Sequence, residues 1–281
     1  MINKFAIFII THGRPTNQRT LYLLQTLGYV GDYYLVLDDE DKTLQQYYAL
    51  YDNSKILVFS KEKYCKLTDT GFVTPFKKFA VFARNAVEDF AQSLNYEFFA
   101  IFDDDITNFR IRYDDLGKLK SHSCAGIFDE ILDTCINFMR STHISCTSFG
   151  STNMYRAGIG CLYTNSDRVR LCNCAFIRNC NIKVFWRLNF VEDLITSLDY
   201  NRNGDVWLQL LPIQVEFGAS EGIVLGGNSS GYNDFGKYNL NFMPTIVYPD
   251  CNLCTYHHNS FHTTLLTQYS MPKIISSLYK K

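Results

Sequence analysis

Three consecutive carboxylates, Asp103, Asp104 and Asp105, stand at the end of the apolar run Phe99-Ala100-Ile101-Phe102. Like charges this close repel one another, so a strand that delivers all three to one point implies a positive ligand. In extended backbone Asp103 and Asp105 project one way and Asp104 the other. Two hard oxygen donors on one face suit Mg2+ or Mn2+, which take one or two protein carboxylates and leave positions for water and phosphate oxygens. The chemistry implied is binding of a metal-bound phosphate or diphosphate. The alternative is an acidic strand-to-loop turn in which Asp104 or Asp105 caps the backbone.

A second acidic group, Asp38-Asp39-Glu40-Asp41, follows the apolar stretch Tyr33 to Leu37. If that stretch is a strand beside the first one, its carboxylates are placed to accept from a ribose or base over the same sheet edge. The alternative is a solvated loop whose Glu40 or Asp41 favours the N-terminus of a helix over 42–51.

The elements that must position these groups follow from periodicity. Phe5 to Ile10 and Phe98 to Phe102 are continuous apolar runs, as expected of parallel strands covered on both faces, and Ile56 to Phe59 supplies a third short strand beside them. The first run ends at Thr11-His12-Gly13-Arg14-Pro15; Thr16 is then expected to cap a helix carrying Leu21, Leu24 and Leu27 and closed by Gly28. Residues 60–77 show few strand or helix signals and read as a long connection of the kind used for lids and binding loops. The next helix, Lys78 to Leu94, places Phe79, Phe82, Ala86, Phe90 and Leu94 on one face, with Arg84 and Asn85 on the opposite side. There Arg84 would reach a phosphate or base and Asn85 a sugar hydroxyl, unless both are plain surface residues. A strand, a turn with Gly and Arg, then a helix is half of a nucleotide-binding βαβ unit, yet neither a Gly-rich dinucleotide fingerprint nor a P-loop is present. Dinucleotide enzymes and P-loop NTPases are thereby disfavoured.

With 281 residues, 47% hydrophobic and 15% aromatic, the chain suffices for one large α/β domain and is not disordered. Its formal net charge of −1 gives no global field for a polyanion, so a nucleic acid would have to meet a local basic patch. The apolar stretch near the N-terminus is too short for a signal-peptide core or a membrane span, and a cytoplasmic protein with no membrane partner is expected. The ten cysteines are then expected to be reduced. Cys172, Cys174 and Cys180, or Cys251 and Cys254 with His257 and His258, offer a zinc alternative to buried thiols.

The segments IITHGRPTNQRTLYLLQTLGY, LVLDDED, ARNAVEDF and FAIFDDDITNF, with the looser GGNSSGYNDFGKY, resemble the TET-associated glycosyltransferases of bacteriophage and related genomes, a family of GT-A enzymes. The resemblance implies a single GT-A domain over 1–281: a Rossmann-like nucleotide-sugar-binding half over 1–110 and a mixed-sheet acceptor-binding and catalytic half over 111–281. It further implies metal-dependent transfer of a sugar from a UDP-sugar to 5-hydroxymethylpyrimidine in DNA, with 5-hydroxymethylcytosine as the acceptor base, in a host cytoplasm if the gene is a phage's. Carried over residue by residue, Thr11 and Arg14 would contact the nucleobase end and Asp38 or Asp39 the uridine. Arg84 and Asn85 would meet the nucleotide or donor sugar, Asp103 and Asp105 the metal (Mn2+ or Mg2+), and Asp104 the ribose or sugar.

In the second half a helix is expected over 126–140, and short strands over 144–149, 159–163, 173–177 and 183–186. Between them Arg156, Arg168, Arg170, Arg178, Lys183 and Arg187 form a local basic group that suits acceptor phosphates. Trp186 and Trp207 are candidates for stacking on a base, with core packing as the alternative. Glu192-Asp193 resembles the acidic pair from which many inverting GT-A enzymes draw their general base: an acceptor hydroxyl must lose its proton as it attacks. Asp193 is the first choice and Glu192 the reserve, the alternative being an acidic helix N-terminus. The glycine-rich stretch over 218–238 suits a loop over the donor or acceptor. His258, or His257, falls where GT-A chains often return a histidine to the metal. Two rival functions remain: the same fold acting on a glycan, lipid or protein, and a non-catalytic nucleotide-sugar-binding module.

Overall fold

A computed structural model describes residues 4–71, 79–142, 144–163, 174–179, 185–189, 191–203, 207–218, 238, 241–257 and 259–266. The apolar runs form the centre of a nine-stranded sheet. Its strands are β1 (Phe5–Ile10), β2 (Asp32–Asp38), β3 (Ile56–Phe59), β4 (Phe98–Asp103), β5 (Ile106–Asp115), β6 (Lys118–Ser123), β7 (Cys146–Ser151), β8 (Cys174–Arg178) and β9 (Trp207–Phe217), in the order β3-β2-β1-β4-β8-β7-β9-β5-β6. The first four are mutually parallel and β8 is antiparallel to β4, so the sheet is mixed beyond that point. Strands β10 (Asn252–His257) and β11 (Ser260–Leu265) make a separate hairpin.

Every residue of β1 is buried, because helices cover both faces of the sheet. Phe5, Ile7 and Ile9 face α1 (Arg19–Leu27), α2 (Leu44–Leu50) and, further along the sheet, α5 (Phe128–Thr142). Ala6, Phe8 and Ile10 face the layer formed by α3 (Lys61–Leu67), α4 (Ala80–Ser93) and α6 (Glu192–Arg202). Helix α1 stops at Gly28, whose φ of 79° is the left-handed conformation that lets Gly28 N–H and Tyr29 N–H bond back to Gln25 and Leu24.

Several expectations are corrected. Helix α1 begins after Gln18 and not after Thr16, because Gln18 is drawn inward to the β1 loop. Residues 61–67 are helical: the Ser60 hydroxyl accepts from Lys63 N–H and Lys66 pairs with Glu62 one turn away. Of the rest of that connection, 72–77 lie outside the described residues. The strand expected over 159–163 is part of a 3-10 segment, Thr152–Tyr163, and Phe185 and Trp186 belong to no strand. Hairpin β5–β6, which turns at Leu116-Gly117 with both φ positive, had no counterpart in the reading of the sequence. Among the described residues no helix is long and apolar enough to cross a membrane, and no cysteine forms a disulfide.

Candidate functional site

Chain order creates the site. From β1 the sheet grows outward through β2 to β3, then the chain crosses back to lay β4 on the other side of β1. Connections leave β1 and β4 in opposite directions, which opens the crevice where ligands of such sheets bind. Register puts Ile10 opposite Asp103, so the Thr11–Arg14 loop and the three aspartates emerge side by side.

Asp104 turns toward the α1–α2 face, where Thr11 Oγ1 donates to its Oδ2 at 2.7 Å and Arg14 Nη1 to its Oδ1 at 2.8 Å. Thr11 in turn accepts from Gln18 Nε2 at 2.8 Å and lies 3.0 Å from the Tyr47 hydroxyl, which accepts from Arg14 N–H. Burial pushes the Tyr47 phenol up to about 12, so it remains a neutral hydroxyl in this network. Thr11, Arg14 and Asp104 thus brace one another, and both oxygens of Asp104 are engaged.

Next to them, buried Asp38 meets two side chains: His12 Nδ1 lies 2.6 Å from Oδ2 and Lys61 Nζ donates to Oδ1 at 3.0 Å. Burial alone would raise the Asp38 carboxyl; the His12 hydrogen bond and the Lys61 charge outweigh it and hold the group below its ordinary range. Asp39 accepts from Lys61 N–H, and Asp41 accepts from Gly13 N–H and caps the chain at Thr43. The second acidic group therefore fixes the β1 loop and α3 as well as lining the crevice.

On the opposite face Asp103 meets Arg84, and here the helix pattern misleads. Arg84 and Asn85 are 1% and 0% exposed, not on a solvent side, because α4 is packed against the sheet on one side and the chain around 186–192 on the other. Arg84 Nη2 donates to Asp103 Oδ1 at 3.0 Å and Nε to Glu192 Oε1 at 3.3 Å, with its guanidinium 5.1 Å from the Trp186 ring centre. The Asn85 side chain both donates to and accepts from the Trp186 backbone, and the Trp186 indole N–H bonds to Glu88. Trp186 is 1% exposed, so the stacking surface expected of it is spent inside the protein.

The carboxylates outnumber the cation. Burial, with Asp105, Glu192 and Asp104 nearby, pushes Asp103 up to about 7 even though Arg84 pulls it down. Burial also raises Asp104, against the Arg14 charge, and Asp105, against Arg14 and Arg19. Glu192 is raised by burial and by Asp193, against the Arg84 charge. Asp105 Oδ1 is buried without a hydrogen-bond partner. Such an arrangement accepts one further cation. Asp193, at the start of α6 beside this cluster, is only partly buried.

Other expected site residues lie elsewhere. Arg187 forms a bidentate pair with Asp199 at 2.7 and 2.8 Å and bonds to the Tyr248 hydroxyl, which occupies it structurally. Arg178 bonds to the Met139 carbonyl, and Arg156 is exposed on the 3-10 segment. Trp207 is 1% exposed and packs in the core beside α6. Arg168, Arg170, Lys183, Cys172, Cys180 and His258 lie outside the described residues, as does nearly all of the glycine-rich stretch after Gly218. His257 ends β10, and no cluster of three or more metal-ligating side chains is present among the described residues. Lys61 and Glu88 were missed in the sequence; Ser60, one residue before Lys61, was the available signal for the helix that buries it.

A family model described as TET-Associated Glycosyltransferase matches residues 5–216 of this chain. No curated protein matches it. Among solved structures, glucosyl-3-phosphoglycerate synthase from Mycobacterium tuberculosis in complex with Mg2+ and uridine diphosphate is similar at a TM-score of 0.50 and 10% identity, over 94% of this chain and 87% of that one. The same enzyme with Mn2+, UDP-glucose and phosphoglyceric acid gives a TM-score of 0.50 and 10% identity over 97% and 89%. At this identity the likeness speaks to the fold, a GT-A sheet with its flanking helices.

Proposed function

We propose, from the premise that this chain belongs to the TET-associated glycosyltransferase family and is a glycosyltransferase, that it moves a sugar from a UDP-sugar to the hydroxymethyl group of a 5-hydroxymethylpyrimidine, 5-hydroxymethylcytosine, in DNA. The observation that carries the reading is the meeting of two acidic elements around Arg84: the β4 aspartates on the donor side and the start of α6 on the acceptor side. The halves over 1–110 and 111–281 meet at the same place.

The residues fit a divalent ion. Asp105 has a buried oxygen without a partner, and Asp103 stands in a surplus of negative charge that Arg84 alone does not balance. Asp105 and Asp103 would hold Mn2+ or Mg2+, and Asp104, already braced, would shape the crevice wall. When bound, the ion neutralises charge developing on the departing diphosphate. Thr11, Arg14, Asp38 and Asp39 border the uridine end. Glu192 is bonded to Arg84, and Asp193, partly buried at the start of α6 beside it, would take the acceptor proton. A target base would have to leave the duplex stack to reach it.

Transfer from radiolabelled UDP-sugars, with Mn2+ or with EDTA, to DNA carrying hydroxymethylcytosine and to unmodified DNA tests the reading. Label on modified DNA only, lost with EDTA and in Asp105→Ala, is the expected result; no label on either DNA refutes the acceptor. The near-neutral charge of −1 favours a second reading, the same chemistry on a glycan, lipid or protein. Metal-dependent hydrolysis of UDP-sugar without labelled DNA, and no salt-dependent affinity for DNA, would support it.

A further inference from the structure

We propose that Asn189 reads a hydroxyl of the transferred sugar; this rests on the nucleotide-sugar reading above. The side chain of Asn189 is 1% exposed, yet neither its Nδ2 nor its Oδ1 has a hydrogen-bond partner. Buried amides in folded proteins are almost always bonded. Asn189 stands three residues before α6, outside the cap position, so capping uses neither of its polar atoms.

Its position points to the ligand. The chain touches Arg84 at Trp186 and again at Glu192, so Asn189 falls midway along the short arch of sequence between two contacts to the guanidinium that also pairs with Asp103. Leu188, beside it, is anchored by its N–H to the Asp69 carbonyl and packs against Ile195 and Met243, which turns the arch into a fixed wall. Two residues of the arch have positive φ, Leu188 at 69° and Val191 at 54°. For a β-branched residue that is a true outlier, and such strain persists where the surroundings enforce it, typically at ligand sites. A carboxamide offers one acceptor and two donors, which matches a sugar hydroxyl or a vicinal pair of them, groups that both give and accept. A site built to bond a hydroxyl discriminates strongly against ligands lacking it.

The test uses the full chain with Mn2+, titrated by calorimetry with UDP and with UDP-glucose, UDP-galactose and UDP-N-acetylglucosamine, together with thermal melting of the ligand-free protein. In Asn189→Leu, UDP affinity is expected to stay within about twofold of the parent while affinity for the preferred UDP-sugar falls about tenfold or more. The ligand-free variant is expected to melt at or above the parent temperature, since a near-isosteric apolar side chain removes an unbonded amide from the interior. A structural role moves melting the other way: a variant that melts several degrees lower overturns the proposal, as does one that binds UDP and UDP-sugar as the parent does. Asn189→Asp, which keeps the acceptor and loses the donors, is expected to lie between parent and Leu in sugar affinity, and parity with the parent would overturn the donor role. A parent that binds UDP but gains nothing from any sugar overturns the ligand named here. A parent that binds neither refutes the nucleotide-sugar reading itself.

Discussion

Replacing Arg84 by methionine removes the only cation that the described structure bonds directly to both Asp103 and Glu192, at 3.0 and 3.3 Å. The guanidinium is 2% exposed, Glu192 8% and Asp103 21%, so water replaces little of what is lost. Breaking a buried ion pair from one side costs about 3–5 kcal/mol, because the remaining charge stays desolvated. The cost has a pH signature. Arg84 lowers the carboxyls of Asp103 and Glu192 against burial, and Asp103 still sits at about 7. Without Arg84 both move further up, so the folded variant binds protons that the unfolded chain holds only below its ordinary value of about 4. Because the unfolded chain titrates alike in parent and variant, the deficit is expected to be largest above pH 7 and to shrink as pH falls through the parent's folded value, about 7 for Asp103, below which that carboxyl is protonated in both folded proteins. Urea unfolding at pH 8.0 and 5.5, parent against variant, measures it. The triple variant Arg84→Met, Asp103→Asn, Glu192→Gln removes the orphaned charges with the cation and is expected to recover most of the loss. A deficit independent of pH, or a triple variant no more stable than Arg84→Met, would refute the electrostatic account and leave only lost packing on Trp186.

Three further outcomes are expected. Asp193→Asn should lower the rate of sugar transfer about 10²–10⁴-fold while leaving Mn2+ and UDP binding unchanged; Glu192→Gln should instead lower stability along with activity, and the reverse pattern would exchange their roles. Because burial raises Asp103 to about 7 and raises Asp105 as well, binding of Mn2+ with UDP should displace more protons at pH 6 than at pH 8; calorimetry in buffers of different ionisation enthalpy reads this, and proton release equal at both values would remove Asp103 from the metal site. Asp38, held low by His12 and Lys61, contributes stability that is fully present above its ordinary value of 3.8 and is lost as pH falls through the lower folded value. Lys61→Met and His12→Ala should each move acid unfolding to higher pH, as followed by circular dichroism, and no movement in either would show that the pair adds nothing.

The sequence by itself determined the strands and where their acids end up. Phe5–Ile10 and Phe98–Phe102 are apolar at every position, which only a strand buried on both faces needs, and Asp103 ends the second of them; Asp104 and Asp105 lie in the turn that follows, so the turn and not strand alternation sets their directions. The motif resemblance located the family, and the helix stop at Gly28 was legible because one left-handed residue is a local requirement.

What only the tertiary structure decided is what each polar side chain meets. Periodicity distinguishes an apolar face from a polar one, but it presumes that the polar face is wet. Helix α4 breaks that presumption: the chain around Trp186 and Glu192 covers its second side, a hundred residues away in sequence, and converts Arg84 and Asn85 from surface ligand contacts into buried struts. Arg187 and Trp186 stayed open between an acceptor role and a structural one for the same reason, since Asp199, Tyr248 and Glu88 reach them only after folding. Hairpin β5–β6 escaped notice because its strands, charged and half-exposed at the sheet edge, gain their place from pairing with β9 and not from apolar content of their own. Local sequence fixes backbone habit, whereas the partner of a buried charge is a nonlocal contact, and that contact is where the chemistry of this site resides.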